Sequence, residues 1–204
     1  MKKNKQLYSM VFILFLFILS FTSSLAIAQA ASNSKSFAYI TNDDRTVSVI
    51  DTAKDTVTAK VTNLGNDSYG LTVIGTKVYV ADLVDNEVSV IDTATNTVTT
   101  TVPVGHVPYG VAATETKVYV ANSWDNTVSV IDTATNNVTT TVPVGSKPFG
   151  VAVTPDGTKV YITNSGDNTI SIINAATNQV TDTVNVMSNN RVGLLPTPSS
   201  RNRT

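Results

Sequence analysis

The residue types best suited to chemistry in this sequence lie in short loops that recur about every 40 residues. Trp124 is the only tryptophan and His106 the only histidine. Asp85, Asp125 and Asp167 hold one position in three successive copies of the same loop. An exposed tryptophan stacks on a sugar ring or anchors a protein partner. A histidine beside a carboxylate acts as a general base, so the nearest partners for His106 are Asp85 and Asp125.

These loops are embedded in a long internal repeat. Residues 79–105 and 119–145 differ at five of 27 positions, and three of the five are consecutive, at 82–84 and 122–124. The tyrosines that open the copies stand 40, 40 and 42 residues apart: Tyr39, Tyr79, Tyr119 and Tyr161. A fixed period of this length is typical of propellers, solenoids or arrays.

Each copy predicts four short β-strands. Residues 98–104 are rich in β-branched side chains, as strands are, and Asp156-Gly157 has the composition of a hairpin turn. Asn and Asp tracts separate the other strands, and no stretch after the first 30 residues keeps a helical spacing of apolar residues. Four antiparallel strands in about 40 residues correspond to one blade. We therefore predict an all-β chain of about four blades.

Several motifs recur together at fixed distances: YVTN-like strands, DNTVSVIDTATN, TVPVG and PFGVAVTPDGTKVY. Over residues 36–187 the chain resembles the YVTN-family β-propeller repeat. The resemblance implies a propeller outside the cytoplasm, in a family whose members usually have more than four blades. It implies no single activity, because propellers serve as enzymes, binding modules and scaffolds.

The first 30 residues predict a secretory signal peptide. Lys2, Lys3 and Lys5 precede an apolar run at 10–19, and Ala28-Gln29-Ala30 supplies a cleavage pattern. We therefore expect three regions: a leader at 1–30, propeller repeats at 31–188 and a tail at 189–204. No membrane span is expected after cleavage, and an uncleaved N-terminal anchor is the alternative.

The first repeat begins with the second strand of a blade, so its innermost strand is missing from the pattern. Residues 193–198 align with 150–155 of the last repeat and are predicted to supply that strand, which would close a small ring of four blades. Two alternatives stay open: a truncated piece of a longer repeat protein, and a homo-oligomer in which two chains complete one larger ring.

Charge and composition argue against several classes of function. Without the leader the chain has 11 basic and 15 acidic residues, which lacks the basic footprint of a nucleic-acid binder. The absence of cysteine excludes disulfides and thiolate metal sites. The Asp and Asn tracts offer oxygen ligands for Ca²⁺ without the spacing of a calcium loop, and Asx turns explain them as well. We expect no cofactor, with Ca²⁺ as the alternative.

The predicted function is a non-enzymatic binding or cell-surface scaffold module, secreted or held on the cell envelope, with an extracellular protein or glycan as ligand. The tips, which are the loops between second and third strands, are predicted at 82–87, 122–127 and 164–169, so Asp82 is assigned to a tip. Strands alternate in direction, so these tips share a face with the links between blades at 105–109 and 145–149. The candidate binding residues are placed on that face: Trp124, His106, Asp85, Asp125, Asp167, and the inner-strand aromatics Tyr109 and Phe149. An enzyme of the lyase, lactonase or dehydrogenase type, with a site over the central channel, is the alternative that the resemblance implies.

Overall fold

The computed structural model describes the backbone of Leu25–Ala28 and residues 36–186. These residues form strands and turns, and no helix among them has the length and apolar character of a membrane span. The strands are β1 (Leu25–Ala28), β2 (Phe37–Asn42), β3 (Thr46–Asp51), β4 (Thr56–Val61), β5 (Ser68–Ile74), β6 (Lys77–Asp82), β7 (Glu87–Asp92), β8 (Thr97–Pro103), β9 (Pro108–Ala113), β10 (Lys117–Asn122), β11 (Thr127–Asp132), β12 (Asn137–Pro143), β13 (Pro148–Val153), β14 (Lys159–Asn164), β15 (Thr169–Asn174) and β16 (Gln179–Asn185).

The strands form four separate four-stranded sheets, each antiparallel and each in chain order: β1–β4, β5–β8, β9–β12 and β13–β16. We call them blades one to four. The prediction of four strands per repeat is confirmed, and so is the all-β class with about four blades.

Asparagine fixes the turns between the strands. Asn126 lies between β10 and β11 and Asn136 between β11 and β12, with φ of 56° and 55°. Asparagine is one of the few residues besides glycine that adopts this left-handed conformation at low cost. In blades two to four a recurring Asn therefore defines the turns after the second and third strands, while blade one has Arg45 and Asp55 at these positions.

The core lies between the blades. Each of the first three blades packs one side on the next blade; we call this side the forward face and the opposite side of a blade its rear face. The forward face of blade two comprises Tyr79, Ala81, Val88, Val90 and Val102, and the rear face of blade three comprises Val111, Val118, Val120 and Ile131. All of these side chains are buried, and burying one Val or Ile stabilises the fold by about 1.5–3 kcal/mol. The second and third strands of an internal blade are therefore apolar on both sides.

The four sheets form an arc that does not close into a ring. The innermost strands contact one another in the order β1, β5, β9 and β13, and the arc ends there. β1 lies within the predicted leader and pairs with β2 as the inner strand of blade one, with Leu25 opposite Ile40. Residues 193–198, which were predicted to form that strand, lie outside the described residues.

Candidate functional site

The loops at one end of the blades form a surface that we call the tip face. It combines the tips between second and third strands (83–86, 123–126, 165–168) with the links that precede inner strands (64–67, 105–107, 145–147). The backbone joins a tip to a link directly: Ser123 N–H donates to Val107 O at 3.0 Å and Trp124 N–H to His106 O at 3.3 Å. Trp124 and His106, the only tryptophan and the only histidine of the sequence, therefore lie on a tip and a link that are in direct contact.

His106 and Asp125 are in direct contact. The Asp125 carboxylate accepts from the His106 backbone N–H at 2.7 Å, and its other oxygen lies 2.9 Å from His106 Nδ1. The backbone hydrogen bond, followed by the imidazole contact, lowers the pKa of Asp125. Two-thirds of the imidazole side chain is exposed, so the pair lies at the surface and not in a cavity.

The same tether recurs in blades that have no histidine. Asp85 accepts from the Asn66 backbone N–H at 2.6 Å, and Asp167 accepts from the Ser146 N–H. The Asn66 side chain, followed by its backbone N–H, lowers the pKa of Asp85. Because the geometry repeats with asparagine and serine in place of His106, the shared task of these aspartates is to hold each link against its tip.

Trp124 projects from the tip of blade three. Its side chain is 76% exposed, although its backbone is fixed by the link. Val84 holds the same position in the tip of blade two and is 64% exposed. The tip face thus presents bulky apolar side chains at corresponding places on two neighbouring blades.

Tyr69, Tyr109 and Phe149 meet where the inner strands begin. The Tyr109 and Phe149 ring centroids are 4.7 Å apart, and Tyr69 lies edge-on to both at 5.3 and 5.8 Å. Since β5 and β13 are separated by β9, a contact between Tyr69 and Phe149 means that the three rings converge towards the axis of the arc. They pack on one another, and Phe149 keeps 40% of its surface exposed.

Comparison with known proteins gives the same architecture. Residues 104–194 match a family model described as YNCE-like beta-propeller. The fold is similar to hydrazine synthase of Kuenenia stuttgartiensis, with a TM-score of 0.68 and 23% identity over 72% of this chain and 45% of that chain. The chain therefore has a β-propeller fold, and residues 104–194 are similar to the YNCE-like propellers.

The propeller spans less than half of the hydrazine synthase chain, so that likeness concerns the fold alone. No curated protein sequence matches the propeller. The tip face therefore has to be interpreted from its own residues.

Sequence reasoning assigned Asp82 to the tip, and this is wrong. The residue is the last of β6 and is fully buried, and both carboxylate oxygens accept hydrogen bonds, from Ser68 Oγ at 2.5 Å and Ser89 Oγ at 2.6 Å. Leu83 and Ser123 are also buried. Three consecutive positions differ between the two copies, at 82–84 and 122–124. Only the third, Val84 or Trp124, is exposed to solvent, because the first two are packed at the end of the strand.

The repeat contains a pattern from which the burial of Asp82 could have been predicted. Each copy carries Asn or Asp three residues after its recurring tyrosine, as the last residue of the second strand: Asn42, Asp82, Asn122 and Asn164. These side chains cap the strand end from inside, as in the hydrogen bond from Asn122 Nδ2 to Ser129 Oγ at 2.9 Å.

A cleft of about 700 Å³ lies at the end of the propeller opposite the tip face, between blades three and four. Its walls are the hairpin turns at 113–117 and 153–158 and the turn at 174–176. None of the predicted binding residues lines it. Within residues 36–186, no three His, Asp or Glu side chains are grouped as a metal site requires.

Proposed function

We propose that this propeller is an exported, non-enzymatic module that binds an extracellular protein or glycan on its tip face, without a cofactor. The observation that carries the proposal is Trp124, whose indole is 76% exposed on a loop of fixed backbone. A large aromatic side chain in water is unfavourable unless a partner covers it, and tryptophan is enriched among residues that dominate binding energy.

The rigidity of the tip supports this proposal. The Trp124 and Ser123 backbone amides donate to the link, and the neighbouring Asp125 is held by His106. A side chain presented by a preformed loop loses little conformational freedom on binding, which favours affinity. Val84, on the neighbouring tip, extends the apolar surface along the arc.

The His106 pair favours binding over catalysis. A general base must have the proton that it abstracts within hydrogen-bond reach. This imidazole is largely exposed, and Asp125 holds His106 in the same way that Asp85 holds Asn66 and Asp167 holds Ser146. In the proposed function the contacts of His106, Asp85 and Asp167 hold the loops of the tip face in place. Tyr109 and Phe149 form the part of the binding surface nearest the axis of the arc.

The experiment is a binding assay on immobilised glycans and on envelope fractions of the host, with Trp124→Ala, Trp124→Phe and wild type. Loss of a buried indole at a binding centre costs at least about 2 kcal/mol, so Trp124→Ala should weaken binding about thirtyfold or more. Trp124→Phe keeps an aromatic face and should retain part of the affinity. Glu115→Ala, at the opposite end, is the matched control and should bind as wild type. Equal binding by wild type and a folded Trp124→Ala would overturn the proposal.

A further inference from the structure

Among the described residues, the two ends of the arc carry apolar faces that no other blade covers. On the forward face of blade three Tyr119 and Val130 are fully buried by blade four. Their counterparts on blade four, Tyr161 and Ile172, are only half-buried. Val184 on the same face is 42% exposed, while its counterpart Val142 is 5% exposed.

The rear face of blade one is uncovered in the matching way. Val98 and Val138, at the outer edge of the rear faces of blades two and three, pack against the core of the seam with the preceding blade. Their counterpart Val57 is 63% exposed. Ile50 is also partly exposed, whereas its counterpart Ile91 is fully buried.

A polar lock closes the seam between blades two and three and the seam between blades three and four, at the strand ends away from the tip face. Lys77 Nζ donates to Thr133 O at 2.6 Å and to Asn136 Oδ1 at 3.1 Å. Tyr79 OH donates to the same Asn136 oxygen at 2.8 Å. Lys117 repeats the pattern on blade four, with Ala175 O at 2.6 Å and Asn178 Oδ1 at 3.0 Å. The lock thus consists of a lysine and a tyrosine on the forward face and a turn asparagine on the rear face. Blade one has Phe37 in place of the lysine, and there only Tyr39 OH donates to the turn asparagine, Asn96, at 3.5 Å.

The two free ends carry the two halves of this lock, with opposite charges. Lys159 holds the place of Lys77 and Lys117 on blade four, and within residues 36–186 its Nζ has no partner. Asp55 holds the place of the turn asparagines on blade one, with the same left-handed backbone at φ 52°. It is the one blade in which the asparagine is replaced by an acid, and that blade has no preceding blade within the arc.

The free ends carry a second pair of opposite charges, at positions that face each other across an internal seam. Between blades two and three a groove is lined by 99–103 on one side and 135–138 on the other. At the free ends Asp182 replaces Thr100 of that groove, and Lys54 replaces Thr135. The uncovered forward face therefore offers Lys159 and Asp182, and the uncovered rear face offers Asp55 and Lys54. If the two faces packed as the internal blades do, Lys159 would lie opposite Asp55, and Asp182 would lie opposite Lys54.

We propose that the forward face of blade four docks on the rear face of blade one of a second copy of this chain, and that two copies close one ring of eight blades. Within the described residues the two faces do not meet, because the four sheets form an open arc. Two arcs joined head to tail make two identical seams related by a twofold axis and leave no end free. Eight blades lie within the range that propellers adopt. The interface does not depend on the ligand of the tip face.

The test is the solution mass of the protein expressed from its full sequence, by light scattering after size-exclusion chromatography. Wild type should be a dimer. Lys159→Asp and Asp55→Lys each place like charges in both seams and should weaken dimerisation about tenfold or more. The double variant Lys159→Asp/Asp55→Lys restores opposite charges and should recover the dimer. Lys147→Asp, an equal change of charge on the tip face, is the control and should keep the wild-type mass.

A zero-length carbodiimide cross-link locates the contact. It joins an amine to a carboxylate only where the two touch, so a peptide linking Lys159 to Asp55 is expected in the covalent dimer. The same peptide in the monomer band would show that one chain closes on itself and would overturn the proposal. A monomeric wild type, or open-ended polymers, would overturn it as well.

Discussion

At the scale of single residues, Asp82 departs most clearly from its counterparts. Asn122 donates through Nδ2 to Thr127 and Ser129, whereas Asp82 accepts from Ser68 and Ser89. Ser68 stands where blades three and four have proline, so this donor is particular to blade two. Burial is the main influence on the carboxyl group and raises its pKa, since a charge in the interior loses its hydration.

We expect Asp82→Asn to stabilise the protein at about pH 7 relative to wild type, and to do so much less at about pH 3.5. The folded-state pKa of Asp82 lies above the unfolded one, so wild type loses stability as pH rises through the folded pKa. The amide has no such titration. The measurement is urea unfolding of both proteins at the two pH values.

Asp85→Asn is the control with the opposite sign. The pKa of Asp85 is lowered by Asn66, so its contribution is present above the unfolded pKa and is lost as pH falls. This variant should be less stable than wild type at neutral pH and similar to it in acid. A difference for Asp82→Asn that stays constant or shrinks as pH rises would show that burial does not govern this carboxyl.

At the scale of elements, the inner strands approach one another closely enough to require glycine. A Cβ on Gly110 of β9 would lie 2.3 Å from the Phe149 carbonyl oxygen of β13. A Cβ on Gly70 of β5 would lie 2.0 Å from the Tyr109 carbonyl oxygen in the same way. The recurring Tyr-Gly and Phe-Gly pairs thus let each blade sit against the next.

We expect Gly110→Ala to destabilise the protein by about 1–3 kcal/mol, because backbone atoms cannot move aside as a flexible side chain can. Gly150→Ala is the matched control. A Cβ there meets only the Thr163 side chain, at 3.0 Å, since no inner strand follows β13 in the arc. Both changes are made in the Lys159→Asp background, in which no second copy covers blade four. Equal losses of stability at Gly110 and Gly150, measured by urea unfolding, would contradict the argument.

At the scale of the whole molecule, two different roles fall on the first 30 residues. Residues 1–30 have the features of a cleaved leader, yet β1 at Leu25–Ala28 pairs with β2 in blade one. Cleavage after Ala30 would remove β1 and leave β2 as the inner edge. The seam between copies uses β2, β3 and β4, so it does not need β1.

We expect the exported protein to begin at Ala31, and the measurement is the intact mass of protein recovered outside the cell. Substitution of Ala30 by a bulky residue should block processing, because the cleavage pattern requires small side chains. Ser32→Leu, just beyond the cleavage site, is the control and should be processed normally. An exported protein that retains residues 25–28 would instead indicate an uncleaved leader and an inner strand formed by it.

The sequence by itself determined everything that depends on neighbouring residues. Asn126 and Asn136 mark left-handed turns because of their side-chain chemistry, and the Val-rich runs between them form strands because β-branched residues fit a pleated surface. The period of 40 predicts the number of blades, and the positions of the loops within the repeat place Trp124 and His106 on one face.

The tertiary structure decided what depends on residues far apart in the chain. Asp82 was assigned to a loop because sequence does not show where a strand stops being covered by the next blade. The exposure of Trp124, the tether from Asp125 to His106, and the identity of the strand beside β2 all required the packed arc. Whether the arc closes depends on the rotation between successive blades, which is set by seams such as Lys77 with Asn136, 59 residues apart. No local pattern encodes that rotation, so only the assembled sheets show two end faces, each with one acidic and one basic side chain in complementary positions.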